Sequence, residues 1–305
     1  MRKIKLARLV VQVLGLIPKR FQIYSAEMQS QPIFVFGSGR NGSTLLNRML
    51  HQHSQLFAPT EQYFLGPGII KFHLYNLMLN WRDLSKVILG ELEASTGSHT
   101  WDYKMKELYP TIFNSKDQSL QRMIDVVYRS YGHQVKPSFK RWVETSPPNV
   151  HYVREIFRTF PKATYCFIIR DGRDVINSYM TGGEDSFGEL SKPREAAKLW
   201  KLSIDAYRWL VHKTDVKLIR YEKLVSNTVE ELRDLSGWMD IPYEESMLDF
   251  HKKPVAFGHQ DPYFRNITKP VFNSSVGKWK EEMSPGTLDE IMPVISKQLK
   301  QFDYL

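Results

Sequence analysis

The chain has 305 residues, 42% hydrophobic and 25% charged, the composition of a globular protein large enough to bury its own core. Forty-two lysines and arginines stand against 33 aspartates and glutamates, so the net charge is +9, which favours anionic partners and excludes the acidic, disordered class of chain. The one cysteine, Cys166, excludes an intrachain disulfide framework, and without a basic cluster interleaved with aromatics nucleic acid is not an expected partner.

Residues 1–25 read as a basic amphipathic segment. Lys5, Arg8, Gln12, Gly15 and Lys19 recur at three- and four-residue steps, leaving Leu6, Leu9, Val10, Val13, Leu14 and Ile17 on the other side of a helix. The apolar stretch from Leu9 to Ile17 is broken by Gln12, is followed by no small-residue cleavage site and is too short to span a bilayer. Two roles fit it: packing on the domain that follows, or peripheral contact with an anionic membrane through residues 2–20. Without a signal or span, the expected location is cytoplasmic, with membrane association if that contact is made. Residues 26–305 show no repeat, low-complexity tract or linker, and read as one α/β domain.

The stretch PIFVFGSGRNGSTLLNRML, residues 32–50, organises that domain. Ile33 to Phe36 form the continuous apolar run of a buried parallel strand, and Gly37 and Gly39 let the backbone turn into a helix opening near Ser43 and Thr44. The free amides and positive dipole end of that helix make an anion site. Gly37, Gly42 and Thr44 match the nucleoside-triphosphate loop G-x-x-x-x-G-K-[ST] except at its lysine, which here is Ser43. Loss of that ammonium argues against triphosphate cleavage, and Arg40 supplies a cation inside the loop.

A short strand at Leu56–Ala58 leads to Glu61, which is either a carboxylate at the ligand-binding edge of the sheet or a helix first-turn residue. Residues 63–139 are helical in pattern, with Leu120, Met123, Ile124, Val127 and Tyr131 in one apolar stripe. RWVE at 141–144 reads as a strand, and Ser146-Pro147-Pro148 opens a helix through Phe160. TYCFII at 164–169 reads as a second buried strand, followed by RDGRD, Arg170 to Asp174, and a helix carrying Ser178. A second anion site at the same sheet edge is expected there. GGEDSFGE between Thr181 and Ser191 reads as a flexible loop, then come a helix over 193–212 and a strand over 216–222 with Tyr221 and Glu222 at its end. Helices follow at 228–239 and 243–250, a lid-like aperiodic segment spans 251–275 and ends at GKWK, and a last helix covers 287–302.

Together these motifs resemble the sulfotransferases that use 3′-phosphoadenosine 5′-phosphosulfate, over most of residues 32–282. Arg40, Asn41, Gly42, Ser43, Thr44, Leu45 and Leu46 are similar to the 5′-phosphosulfate loop R-S-G-[ST]-[ST]-L-L. Arg170, Asp171, Arg173 and Ser178 are similar to the 3′-phosphate motif R-D-x-R-x-x-x-x-S. IRYEKLV at 219–225 resembles the Y-E-x-L segment, and GKWK at 277–280 the late G-x-W-[KR]. The resemblance implies a single P-loop-like domain with a central parallel sheet of about five strands and helices on both faces.

The match is closer to the tyrosylprotein, Golgi and bacterial branch than to the cytosolic phenol and steroid branch, because the loop holds Arg40 and the region Glu144-Thr145-Ser146-Pro147 lacks the histidine of T-H-x-P. In the tyrosylprotein branch the base is a glutamate about twenty residues after the loop arginine, which falls on Glu61 here; Glu144 is second. The resemblance further implies contacts to the leaving phosphate from Arg40, Asn41, Gly42, Ser43 and Thr44, contacts to the 3′-phosphate from Arg170 and Ser178, and Tyr221 and Trp279 near the purine. Thr145 stands where many relatives have lysine, so Lys278 or Lys280 is the expected substitute. The implied donor is 3′-phosphoadenosine 5′-phosphosulfate, the product adenosine 3′,5′-bisphosphate, and no metal is required. The acceptor is a hydroxyl, with carbohydrate or glycolipid placed ahead of protein tyrosine or a small-molecule alcohol. The alternatives from other classes are a Mg²⁺-dependent kinase or NTPase, and a non-catalytic nucleotide-binding protein.

Overall fold

The computed structural model describes residues 20–26, 28, 30–95, 101, 105–252 and 269–305. The body of the amphipathic segment, residues 1–19, and most of the lid-like segment, 253–268, lie outside the described residues.

Five parallel strands form the centre: β1 (Ile33–Phe36), β2 (Leu56–Phe57), β3 (Arg141–Glu144), β4 (Thr164–Ile169) and β5 (Lys217–Arg220), in the order β2-β3-β1-β4-β5. β1 sits in the middle, with Phe34 opposite Glu144 on one side and Tyr165 on the other. All four of its residues are buried, as are the last five of β4, which is why these strands read as unbroken apolar runs and not as alternation.

The period-2 geometry of the strands sorts their side chains into two cores. Phe34, Phe36, Trp142, Tyr165 and Phe167 face one layer, and Ile33, Val35, Val143, Cys166, Ile168 and Ile219 face the other. The first layer is aromatic: Phe34 meets Trp142 edge-on at 5.6 Å, and Trp142 stacks on Tyr128 at 4.1 Å. It is closed by α2 (Leu65–Tyr75), α3 (Trp81–Ala94), α4 (Leu120–Val135), α6 (Pro193–Val211) and α7 (Pro285–Gln301). The second is aliphatic, closed by α1 (Ser43–Gln52) through Leu46, Met49 and Leu50, and by the helix Thr228–Trp238 through Leu232 and Leu235.

From β1 the chain moves to one side of the sheet, and β4 and β5 build the other. The crevice beyond the carboxyl ends of β1 and β4 is therefore a topological switch point, where open α/β sheets bind ligands. The loop after β1 feeds α1, and the loop after β4 feeds α5 (Gly172–Gly182), so both open onto this crevice.

Several element expectations need correction. The strand read over 216–222 ends at Arg220, where its pairing with Ile169 ends, and Tyr221 starts the short helix Tyr221–Ser226. Helix 147–160 opens as a 3-10 turn, Pro147–Tyr152, before the α-helix Val153–Thr159. The stretch read as a flexible loop holds the short helices Glu184–Phe187 and Gly188–Ser191. Phe187 packs edge-on against Tyr179 at 5.1 Å, over Gly182, whose missing Cβ leaves room for its ring. The segment 243–250 is a 3-10 helix, Glu245–His251.

Candidate active site

The loop after β1 is a coil of left-handed residues: Gly39 at φ 73°, Arg40 at φ 51° and Gly42 at φ 93°. A non-glycine residue in this region is uncommon, so the arginine is held there by its surroundings. Its main-chain carbonyl accepts from Arg170 Nη1 at 3.1 Å, its Nε donates to Ser178 Oγ at 3.0 Å, and its guanidinium lies 5.1 Å from the Phe187 ring. Gly42 meets a second constraint, because a Cβ would fall 2.3 Å from Tyr221 Cδ2. Asn41, fully buried, donates from Nδ2 to the Ile168 carbonyl at 2.8 Å and so straps the loop to β4. At the start of α1 the Ser43 amide donates to Asn41 Oδ1 at 3.3 Å, and no acidic residue occupies the first turn, so no negative charge there offsets the positive end of the helix.

The loop after β4 is built differently. Asp171 caps α5 by accepting from the Arg173 amide at 2.9 Å, and the same carboxylate pairs with the Arg173 guanidinium at 2.7 Å. Arg173 also donates to the Tyr304 carbonyl at 2.6 Å and lies 3.9 Å over the Trp279 ring. Arg170 points the other way. It donates to the Arg40 and Ser275 carbonyls, lies 4.7 Å over Tyr221, and keeps its Nε buried without a partner among the described residues. Asp174 accepts from the amides of Gly277 and Trp279 at 2.7 and 3.0 Å and folds the GKWK segment onto α5. The two anion loops thus interlock, Arg40 reaching Ser178 and Arg170 reaching back to Arg40.

Between them lies a cavity of about 800 Å³. Arg40, Gly42, Ser43, Thr44, Arg170, Ser178, Tyr221 and Lys278 all line it. Asn41 does not, since it braces the loop, and Trp279 does not, since its ring is spent on Arg173. Lys280 is also off the wall, and Thr145, standing where relatives keep lysine, accepts from Asn47 at 2.9 Å. Sequence reasoning missed Lys269, Ser275, Asp174 and Asn177. The last two carried a signal, because Asp174, Asn177, Ser178 and Thr181 form one polar helical stripe; Lys269 had none. Four cations on the wall face two carboxylates, and both carboxylates are engaged, Asp174 by the two amides and Glu282 by Asn177 and Lys278. Its size, the cationic excess, the helix start without acidic residues and the unpartnered Arg170 Nε fit a nucleotide carrying more than one phosphate.

Glu61 sits behind this wall. It is half-buried, accepts from Tyr63 Oη at 3.1 Å, and lies within electrostatic reach of Arg40 and Thr44, both of which line the cavity. Burial pushes its carboxyl from 4.5 up to about 7, aided by the nearby charge of Glu144 and opposed by Tyr63, Arg40 and Thr44. Glu144 is also raised by burial, but its oxygens are committed. One accepts from the Ser146 amide at 2.6 Å and from Asn149 at 3.0 Å, and the other from the Tyr128 hydroxyl. Of the two glutamates, Glu61 is the one set close to the cavity wall.

The family model described as "Sulfotransferase family" matches residues 32–245. A protein-tyrosine sulfotransferase of Drosophila melanogaster is 22% identical over 93% of this chain and 53% of its own length. Protein-tyrosine sulfotransferase A of Caenorhabditis elegans is 22% identical over 87% of this chain and 66% of its own. The chain thus spans between about half and two thirds of these curated relatives. Among solved structures, the sulfotransferase domain of the Synechococcus PCC 7002 olefin synthase superposes with a TM-score of 0.59 at 18% identity, covering 90% of this chain and 98% of that one. The sulfotransferase domain from the curacin biosynthetic pathway gives 0.56 at 22% identity, covering 88% and 97%. These two likenesses are likenesses of fold.

Proposed function

The chain belongs to the sulfotransferase family, and we propose that it moves a sulfuryl group from 3′-phosphoadenosine 5′-phosphosulfate to an acceptor hydroxyl with Glu61 as general base. The observation that carries this reading is a carboxylate raised to about 7, Glu61, set close behind Arg40 and Thr44 of the cation-rich cavity wall. The donor supplies a sulfuryl group already bonded to a phosphate that can leave. Arg40 and the first amides of α1 stabilise the charge gathering on that phosphate, each donor contributing about 3 kcal/mol by analogy with oxyanion holes. Arg170 and Ser178 hold the second phosphate, Tyr221 and Lys278 line the rest of the site, and Glu61 takes the acceptor's proton as the new oxygen–sulfur bond forms.

A base near 7 is matched better to a phenol, whose pKa is about 10, than to an aliphatic alcohol, which is far less acidic. The relatives named above are protein-tyrosine sulfotransferases, so a tyrosyl hydroxyl moves ahead of the carbohydrate expected from charge alone. Titration calorimetry with adenosine 3′,5′-bisphosphate, with AMP as control, tests the donor site: binding that AMP does not reproduce supports it, and equal affinity for both overturns it. Mass spectrometry of a tyrosine peptide and an oligosaccharide incubated with donor then tests the acceptor. Modification of neither, with donor bound, would point to a non-catalytic nucleotide binder.

A further inference from the structure

The loop between β2 and α2 holds Glu61 on a backbone fixed at three points. The Pro59 carbonyl accepts from Asn47 Nδ2 at 2.9 Å, the Thr60 carbonyl accepts from Trp101 Nε1 at 3.0 Å, and the Gln62 amide donates to Ser146 Oγ at 2.8 Å. Gln62 is fully buried, and its Oε1 accepts from Ser95 Oγ at 3.0 Å. The loop is thus anchored between the two half-buried side chains that flank Gln62, those of Glu61 and Tyr63. A fixed main chain still leaves a glutamate three side-chain torsions, each with more than one well. A carboxylate that must meet an acceptor at one oxygen therefore needs a contact at the other. Tyr63 supplies that contact, its Oη donating to Glu61 Oε2 at 3.1 Å.

The other groups around this carboxylate have commitments of their own. Glu144 of β3 is held by Ser146, Asn149 and Tyr128, Tyr179 of α5 donates its hydroxyl to the Ser38 carbonyl at 2.8 Å, and Arg40 sends its Nε to Ser178. Thr44 of α1 completes the set within electrostatic reach. Burial, and after it the charge of Glu61, hold the Tyr63 phenol above its ordinary 10, so Tyr63 remains a donor at every pH at which Glu61 titrates. Of the groups that favour the charged carboxylate it is the strongest, ahead of Arg40 and Thr44. We propose, resting on the reading of Glu61 as base, that Tyr63 is its positioning residue: the phenol hydroxyl holds the carboxylate by Oε2, and Oε1 receives the acceptor's proton. The acceptor's O–H bond breaks to Oε1 as its oxygen bonds to sulfur. The bond from sulfur to the phosphate oxygen breaks with its electron pair left on the phosphate, and Tyr63 keeps its own proton throughout.

Tyr63→Phe in the full chain tests this, since it keeps the ring and removes the donor. The infrared carboxyl band that Glu61→Gln removes reports the Glu61 titration without turnover. In Tyr63→Phe that titration should move up by about one pH unit, and the rising limb of kcat/KM should move with it, leaving the rate at pH 6 about tenfold lower. On the plateau above both values kcat should stay several-fold below wild type, the sign of lost orientation. Affinity for adenosine 3′,5′-bisphosphate and the melting temperature at pH 6, where the carboxyl is protonated, should stay near wild type. An unmoved titration overturns the role of Tyr63, and so does a plateau fully restored at high pH. A lowered melting temperature at pH 6 overturns it too, because the hydroxyl would then be a part of the packing alone. A wild-type rate profile that does not follow the Glu61 titration overturns instead the reading of Glu61 as base, and the proposal with it.

Discussion

The two loops at the carboxyl edge of the sheet begin alike, as a buried strand running into a helix, yet they present different chemistry. The loop after β1 is more open: a glycine stands at the helix start, no acid enters the first turn, the Ser43 amide meets Asn41 Oδ1 at 3.3 Å, and Gly42, Ser43 and Thr44 line the cavity. The loop after β4 is closed: Asp171 caps its helix, Arg173 neutralises Asp171, and Asp174 is tied to the Gly277 and Trp279 amides. What that loop turns toward the cavity is side chains, Arg170 and Ser178. A strand-turn-helix motif thus specifies where an anion can sit, and the first-turn residues specify whether backbone or side chain receives it.

The largest effect should fall on the open loop's neighbour, Glu61. Glu61→Gln is expected to cut turnover by at least a hundredfold while donor-product affinity stays within a few-fold, and wild-type kcat/KM should rise with pH through about 7 as the carboxylate forms. Stability should move the opposite way. The native carboxyl titrates near 7 and the unfolded one near 4.5, so between these values the folded state keeps a proton that the unfolded state releases, and stability falls as pH rises. Above pH 7 the glutamine variant should be more stable by up to about 3 kcal/mol, and below pH 4.5 equal to wild type; denaturant melts at both pH values check the sign.

Gly42→Ala should come next. A positive φ and a clash with Tyr221 both oppose the methyl, so a loss of about 2–4 kcal/mol is expected together with loss of product binding, read by thermal melts and calorimetry. The two arginines of the closed loop sharpen the contrast further. Arg170→Ala should weaken adenosine 3′,5′-bisphosphate by about ten- to a hundredfold and also lower the melting temperature, because the Arg40 and Ser275 carbonyls lose their donor. Arg173→Ala should act on stability alone, costing about 2–3 kcal/mol, because Asp171 and the Tyr304 carbonyl lose their donor, with little direct effect on affinity. Equal effects from the two would erase the distinction. Lys278→Ala should be smallest, a few-fold loss of affinity that disappears at high salt, since Lys278 is half-exposed at the cavity wall and shared with Glu282.

The five strands and the two strand-turn-helix loops at the sheet edge were legible in the residues because each is encoded locally. An apolar run, a glycine turn and a helix start occupy about ten consecutive positions, and their physics needs no distant partner. The resemblance added roles for Arg40, Thr44 and Arg170, and the fold brings those side chains to one cavity. Where sequence reading went astray, a side-chain contact outside the local pattern was responsible. The stretch around Phe187 reads as a flexible loop until Tyr179 and Gly182, eight and five residues before it, are seen to receive the ring.

Sequence alone therefore determined the order of the strands along the chain, the family resemblance and the two strand-turn-helix loops proposed to hold anions. Tertiary structure decided the rest. It brought Glu61 close to Arg40 and Thr44 of the cavity wall, spent Glu144 on Ser146, Asn149 and Tyr128, and set Arg40 against Ser178 across 138 residues of chain. Burial and hydrogen bonding fix which carboxylate holds its proton near neutrality, and both belong to the packed surroundings of a side chain and not to its neighbours in sequence.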